Sequence, residues 1–74
     1  MESKSLFAER FKSARLMKGF SLQDLADAIG NQLSRQALHR YEKGEVIPDT
    51  EKINMLSKVL GVSFDIFSGV LKWN

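Results

Sequence analysis

The chain has 74 residues, enough for one small domain, and no cysteine, which excludes disulfides, thiolate metal sites and cysteine nucleophiles together. Charged residues at 27% and hydrophobic ones at 43% are ordinary globular values, and they exclude a disordered chain or a membrane-spanning one. The net charge of +2 is unevenly placed: residues 1–44 hold eight Lys/Arg against five Asp/Glu, and residues 45–74 hold three against four, so the first part is the one suited to a polyanion.

Taken in chain order, residues 1–5 read as a flexible N-terminus with no long apolar run behind them, hence no secretory signal. With the absence of cysteine, this points to a cytoplasmic protein. Apolar spacing predicts helices over about 5–18, 22–29, 35–43, 50–60 and 64–70. The first carries Phe7, Phe11 and Ala14 at i, i+4, i+7, and Gly19 stands where a C-terminal cap belongs. In the second, Leu22, Leu25, Ala26 and Ile29 share one side, Ser21 with Asp24 resembles a capping box, and Gly30 ends the pattern. The third opens on Ser34 and closes on Gly44. Pro48 separates it from the fourth, which Asp49-Thr50 caps and which carries Ile53, Leu56, Val59 and Leu60 before Gly61. Ser63 caps the fifth, with Phe64, Ile66, Phe67 and Val70, and residues 70–74 read as a C-terminal tail or the start of a linker. No repeat, low-complexity run or β-alternation interrupts this order, so the expected fold is a short-loop, all-α bundle.

The third helix carries the first functional signal. At about 100° per residue from Arg35, Gln36 falls near 100°, His39 near 40°, Arg40 near 140° and Lys43 near 80°, while Ala37, Leu38 and Tyr41 fall between about 200° and 300°. One side is thus Arg, Gln, His, Arg and Lys, and no acid interrupts it. Arg and Gln are the side chains that read base edges bidentately, Arg on guanine and Gln on adenine. Ser34 and the free amides that follow it make the helix start attractive to phosphate. A plain solvated face has the same polarity, although such faces usually mix signs.

Two charges fall on apolar stripes. Arg15 lies four residues after Phe11, and Glu42 lies four residues after Leu38. Buried charges persist mainly when paired, so Arg15 with Glu42 is expected to tie the first helix to the third; the alternative is that both reach out to water.

These residues together carry a family resemblance. Arg10-Phe-Lys-Ser-Ala-Arg15, Gly19-Phe-Ser-Leu-Gln-Asp-Leu-Ala26, Ile29-Gly30, Ser34-Arg-Gln-Ala-Leu-His-Arg-Tyr-Glu-Lys-Gly44, Pro48 and Leu60-Gly-Val-Ser-Phe-Asp65 closely resemble the lambda-repressor-like helix-turn-helix domain of the Cro and phage-repressor type, also called the xenobiotic-response-element family. The likeness covers roughly residues 6–68. It implies a five-helix all-α DNA-binding domain over residues 6–69, with the second and third helices as the helix-turn-helix and the third in the major groove. Positions matching the family's base readers are Arg35, Gln36 and Arg40, with His39 beside them. Ser21, Gln23, Ser34 and Lys43 are the expected phosphate contacts. The family's Arg–Glu salt bridge falls on Arg15 and Glu42. The resemblance further implies a transcriptional regulator, most often a repressor, bound to a pseudo-palindromic operator as a homodimer. The surplus of apolar residues near the end, Phe64, Ile66, Phe67, Val70, Leu71 and Trp73, is the expected dimer interface.

Three departures accompany the likeness. Leu22 stands directly after the helix-two cap, where the family often has a phosphate-binding Gln, and Gln23 follows it. Asn31-Gln32 lengthens the connection to the third helix, before Leu33, which is placed to pack against Leu38 as a hydrophobic staple. The loop after Gly44 is Glu45-Val46-Ile47, where phage repressors can be basic, so its phosphate contacts would rest on backbone amides. Other classes stay open: a protein-interaction or antitoxin-type partner-binding module, or the N-terminal domain of a longer regulator fused to a metallopeptidase-like domain. No His-Glu-x-x-His motif occurs, and with His39 as the single histidine no metal site, cofactor site or catalytic set is expected.

Overall fold

The computed structural model describes residues 3–62, with side chains from residue 6 onward. Among the described residues there are four helices and no strand: α1 (Ser3–Lys18), α2 (Leu22–Ala28), α3 (Arg35–Glu42) and α4 (Thr50–Leu60). The expected fifth helix over 64–70, and the expected dimer residues Phe64, Ile66, Phe67, Val70, Leu71 and Trp73, lie outside the described residues. α1 begins at Ser3, two residues before the start that its apolar pattern predicts.

Each short helix is held at its ends by side chains and turns. Ser21 caps α2: its hydroxyl accepts the Asp24 N–H at 2.9 Å, and the Asp24 carboxylate accepts the Ser21 N–H at 2.9 Å, a reciprocal box built with Asp in place of the usual Glu. Ser34 accepts the Ala37 N–H at 3.1 Å to start α3, and Asp49 accepts the Lys52 N–H at 3.0 Å to start α4. These caps matter because helices of seven to eleven residues are too short to be stable on propensity alone.

The connection between α2 and α3 is the unusual one. Gly30 (φ +67°) and Asn31 (φ +60°) are both left-handed, and the Asn31 N–H returns to the Ala26 carbonyl at 2.9 Å. Glycine adopts that region freely, and Asn is among the few other residues that visit it at modest cost. Two successive left-handed residues absorb the extra length of this turn and deliver the chain to Leu33, which is buried. Leu33 and Leu38 then flank the Ser34 cap as a hydrophobic staple, both within the core cluster.

That core is continuous. Phe7 and Phe11 of α1 stack with centroids 5.6 Å apart, and Tyr41 of α3 meets Phe11 edge-on at 6.4 Å. Ala14 from α1, Leu25 and Ala26 from α2, Ile29 and Leu33 from the connection that follows it, Leu38 from α3, and Ile53, Leu56 and Leu60 from α4 complete it. Full burial of each large side chain is worth about 1.5–3 kcal/mol. α3 packs on both α1 and α2, and α4 packs on α1, so α3 has its apolar side fixed by two neighbours and its other side left outward.

Candidate nucleic-acid interface

The outward side of α3 is formed by Arg35, Gln36, His39 and Arg40, with Lys43 just past the helix end, and all five are exposed. Opposite them Leu38 and Tyr41 are buried and Ala37 is half-buried, as the division of polar and apolar arcs dictates. Arg35 and Gln36 occupy the first turn, the part of a recognition helix that approaches base edges end-on. Among the described residues, no hydrogen bond or ion pair ties down the side chains of Arg35, Gln36 or His39.

The other expected contact residues have partners. Ser21 and Ser34 use their hydroxyl oxygens as cap acceptors, while each hydroxyl proton stays available to donate outward. The Gln23 amide donates to Asp27 Oδ1 at 3.0 Å along the same helix. All three are exposed at the starts of α2 and α3.

Arg40 and Lys43 present a difference from the helical reading, in which no acid interrupts the face. Arg40 Nε donates to Glu45 Oε1 at 3.1 Å, and Lys43 Nζ lies 3.2 Å from Glu45 Oε2, so one carboxylate spans two cations. Hydrogen bonds from Lys43 and then Arg40 hold the Glu45 carboxyl below its ordinary range. Helical spacing does not show this contact, because Glu45 lies beyond the helix. Gly44 (φ +75°) reverses the chain, its N–H bonds to the Tyr41 carbonyl at 3.2 Å, and the Glu45 N–H bonds to the Arg40 carbonyl at 3.1 Å. This is a Schellman ending, and it returns residue 45 to the last turn of α3. Gly44 marks the end of the third helix in the sequence, but which side chains the reversal brings back onto that helix is decided by the folded turn.

Behind the face, Arg15 and Glu42 lock α1 to α3. Arg15 Nε donates to Glu42 Oε2, Nη2 donates to Glu42 Oε1 at 3.1 Å, and Nη1 donates to the Phe20 carbonyl at 2.7 Å. The two side chains are 10% and 5% exposed. The bidentate fork is the geometry Arg offers and Lys does not. Its third bond reaches the segment between α1 and α2, so one guanidinium joins α1, the entry to α2 and the end of α3. That arrangement ties the end of α3 to α1 and to the entry of α2.

Among the described residues, no three His, Asp or Glu side chains gather in a way that could hold a metal ion. No helix among them is long and apolar enough to cross a membrane.

This architecture, a capped short helix and a second helix held at the surface by a buried ion pair, is that of a helix-turn-helix domain. A helix-turn-helix family model matches residues 11–67. The SPbeta prophage-derived HTH-type transcriptional regulator YonR of Bacillus subtilis is 43% identical over 60 residues, covering 81% of this chain and 54% of that protein. The HTH-type transcriptional regulator YqaE of the same organism is 35% identical over 60 residues, 81% of this chain and 50% of that protein. A protein of Aeropyrum pernix whose name also carries the HTH-type regulatory description is 37% identical over 57 residues, 77% of this chain and 17% of that protein. The chain thus spans about half the length, or less, of these relatives. No solved structure matches significantly. The chain belongs to the helix-turn-helix family, in its lambda-repressor-like form.

Proposed function

We propose that this chain binds double-stranded DNA sequence-specifically as a cytoplasmic transcriptional regulator, with α3 in the major groove, and that it acts as a repressor by occupying its site. The observation that carries this reading is the exposed face of α3, where no described residue tethers Arg35 and Gln36 on the first turn while the Arg15–Glu42 pair fixes the end of the helix from behind. In this reading Arg35, Gln36, His39 and Arg40 meet base edges, and Ser21, Gln23, Ser34 and Lys43 meet phosphates. The names of the relatives, HTH-type transcriptional regulators, support the regulatory role.

One recognition helix covers only a few base pairs, and a module of this size buries too little surface for operator-grade affinity. The bound form is therefore a homodimer on a pseudo-palindrome, its two α3 helices about 34–36 Å apart, one turn of B-DNA. Selection from randomised duplexes, followed by titration of wild type and Arg35→Ala on the enriched site, tests the reading. The expected outcome is a two-fold-related motif, a loss of about 1–3 kcal/mol in Arg35→Ala, and relaxed preference at one base position per half-site. Undiminished discrimination in Arg35→Ala would move the reading head elsewhere. Sedimentation of the saturated complex is expected to show two protomers per duplex; one protomer would end the dimer.

A further inference from the structure

We propose that Glu45 is an internal anion that occupies the DNA-facing cations Arg40 and Lys43, so that DNA binding exchanges a carboxylate for a base contact at Arg40 and a phosphate contact at Lys43, and Glu45 sets the strength and salt dependence of that binding. The proposal rests on the DNA-binding reading above and adds a residue to it that opposes binding.

The geometry is specific. Each Glu45 oxygen engages a different cation, Oε1 the Arg40 guanidinium at 3.1 Å and Oε2 the Lys43 ammonium at 3.2 Å. Two oxygens bridging a guanidinium and an ammonium is also what a phosphate presents, since both anions accept the same N–H donors. The carboxylate is held there by the backbone: the left-handed Gly44 and the Glu45 N–H bond to the Arg40 carbonyl fix residue 45 against the end of α3. Arg40, Lys43 and Glu45 remain 62%, 55% and 42% exposed, so all three can be reached by a nucleic acid. Exposed ion pairs are individually weak and exchange readily, which is what a competitor, as opposed to a structural bond, requires. A phosphate approaching this end of α3 must displace Glu45 and then lie beside its negative charge.

The test is binding of wild type, Glu45→Gln and the triple variant Glu45→Gln/Arg40→Ala/Lys43→Ala to a mixed-sequence duplex of about two helical turns, across a salt series, with urea melts of each. Glu45→Gln is expected to bind about two- to tenfold tighter at low salt, the range that two exposed ion pairs support. Its plot of log affinity against log salt is expected to steepen by about one, one further phosphate being neutralised. The triple variant is expected to lose both gains. Equal or weaker binding by Glu45→Gln with an unchanged urea midpoint overturns the proposal and leaves the DNA-binding reading standing, Glu45 then being a positioning group for Arg40. Absence of binding by both wild type and Glu45→Gln at low salt overturns the DNA-binding reading, and this proposal with it.

Discussion

Glu42→Ala is expected to bring this domain to the edge of unfolding. In the folded chain Arg15 donates twice to Glu42 and once to the Phe20 carbonyl, with its side chain 10% exposed. Truncating Glu42 leaves the guanidinium in apolar surroundings with both carboxylate oxygens gone, and breaking a buried pair from one side costs on the order of 3–5 kcal/mol. A domain of this length has a total stability of about 4–11 kcal/mol, taken at about 0.05–0.15 kcal/mol per residue. The loss is therefore between roughly a quarter and all of it. With a urea slope near 1 kcal/mol per molar for a small domain, the midpoint is expected to fall by about 3 M or more. Glu42→Gln, which keeps the shape and one acceptor, loses less. Arg15→Met with Glu42→Leu recovers most of the loss, because apolar replacement of a whole buried pair is commonly neutral or stabilising. Equilibrium urea melts followed by circular dichroism measure all of these. A Glu42→Ala midpoint within about 0.5 M of wild type would refute the reasoning, since an ion pair worth that little is a solvated one.

Two further predictions concern the turn and the caps. Gly30→Ala is expected to cost about 1–2 kcal/mol in urea melts through backbone conformation alone. Among the described residues, no heavy atom beyond the chain neighbours lies within 4 Å of the added Cβ, whereas Asn31→Gly relieves its left-handed residue and costs little; a neutral Gly30→Ala would mean that the turn rearranges freely. The carboxyls of Asp24 and Asp49 are both held below their ordinary range, Asp24 first by the Ser21 N–H and Asp49 first by the Lys52 N–H. A depressed folded value means stability that is present above the unfolded value of about 3.9 and is lost as pH falls through the folded one. Thermal midpoints are thus expected to drop on acidification below about pH 4. Asp24→Asn/Asp49→Asn is expected to flatten that drop, and an equally steep fall in the double variant would show that other groups carry the acid sensitivity.

Helices α1 to α4 and their limits were largely readable from the chain, because they depend on local chemistry. Ser21, Ser34 and Asp49 cap within three residues of themselves, and the apolar residues of each stripe recur within one or two turns. The polar face of α3 was legible for the same reason: eight residues at helical spacing define both of its sides. Arg15 and Glu42 stood out as charges in apolar positions, but which atoms meet, and the third bond to the Phe20 carbonyl, depend on how α1 and α3 cross. Only the folded chain decided two matters. One is the α2–α3 turn, where the apparent insertion Asn31-Gln32 is accommodated by a left-handed Asn31 directly after the left-handed Gly30, a backbone choice that no hydrophobic pattern encodes. The other is Glu45. Periodicity describes residues within one helix, and this carboxylate reaches α3 from beyond its end by a reversal at Gly44, so its contacts with Arg40 and Lys43 exist only once that turn has formed.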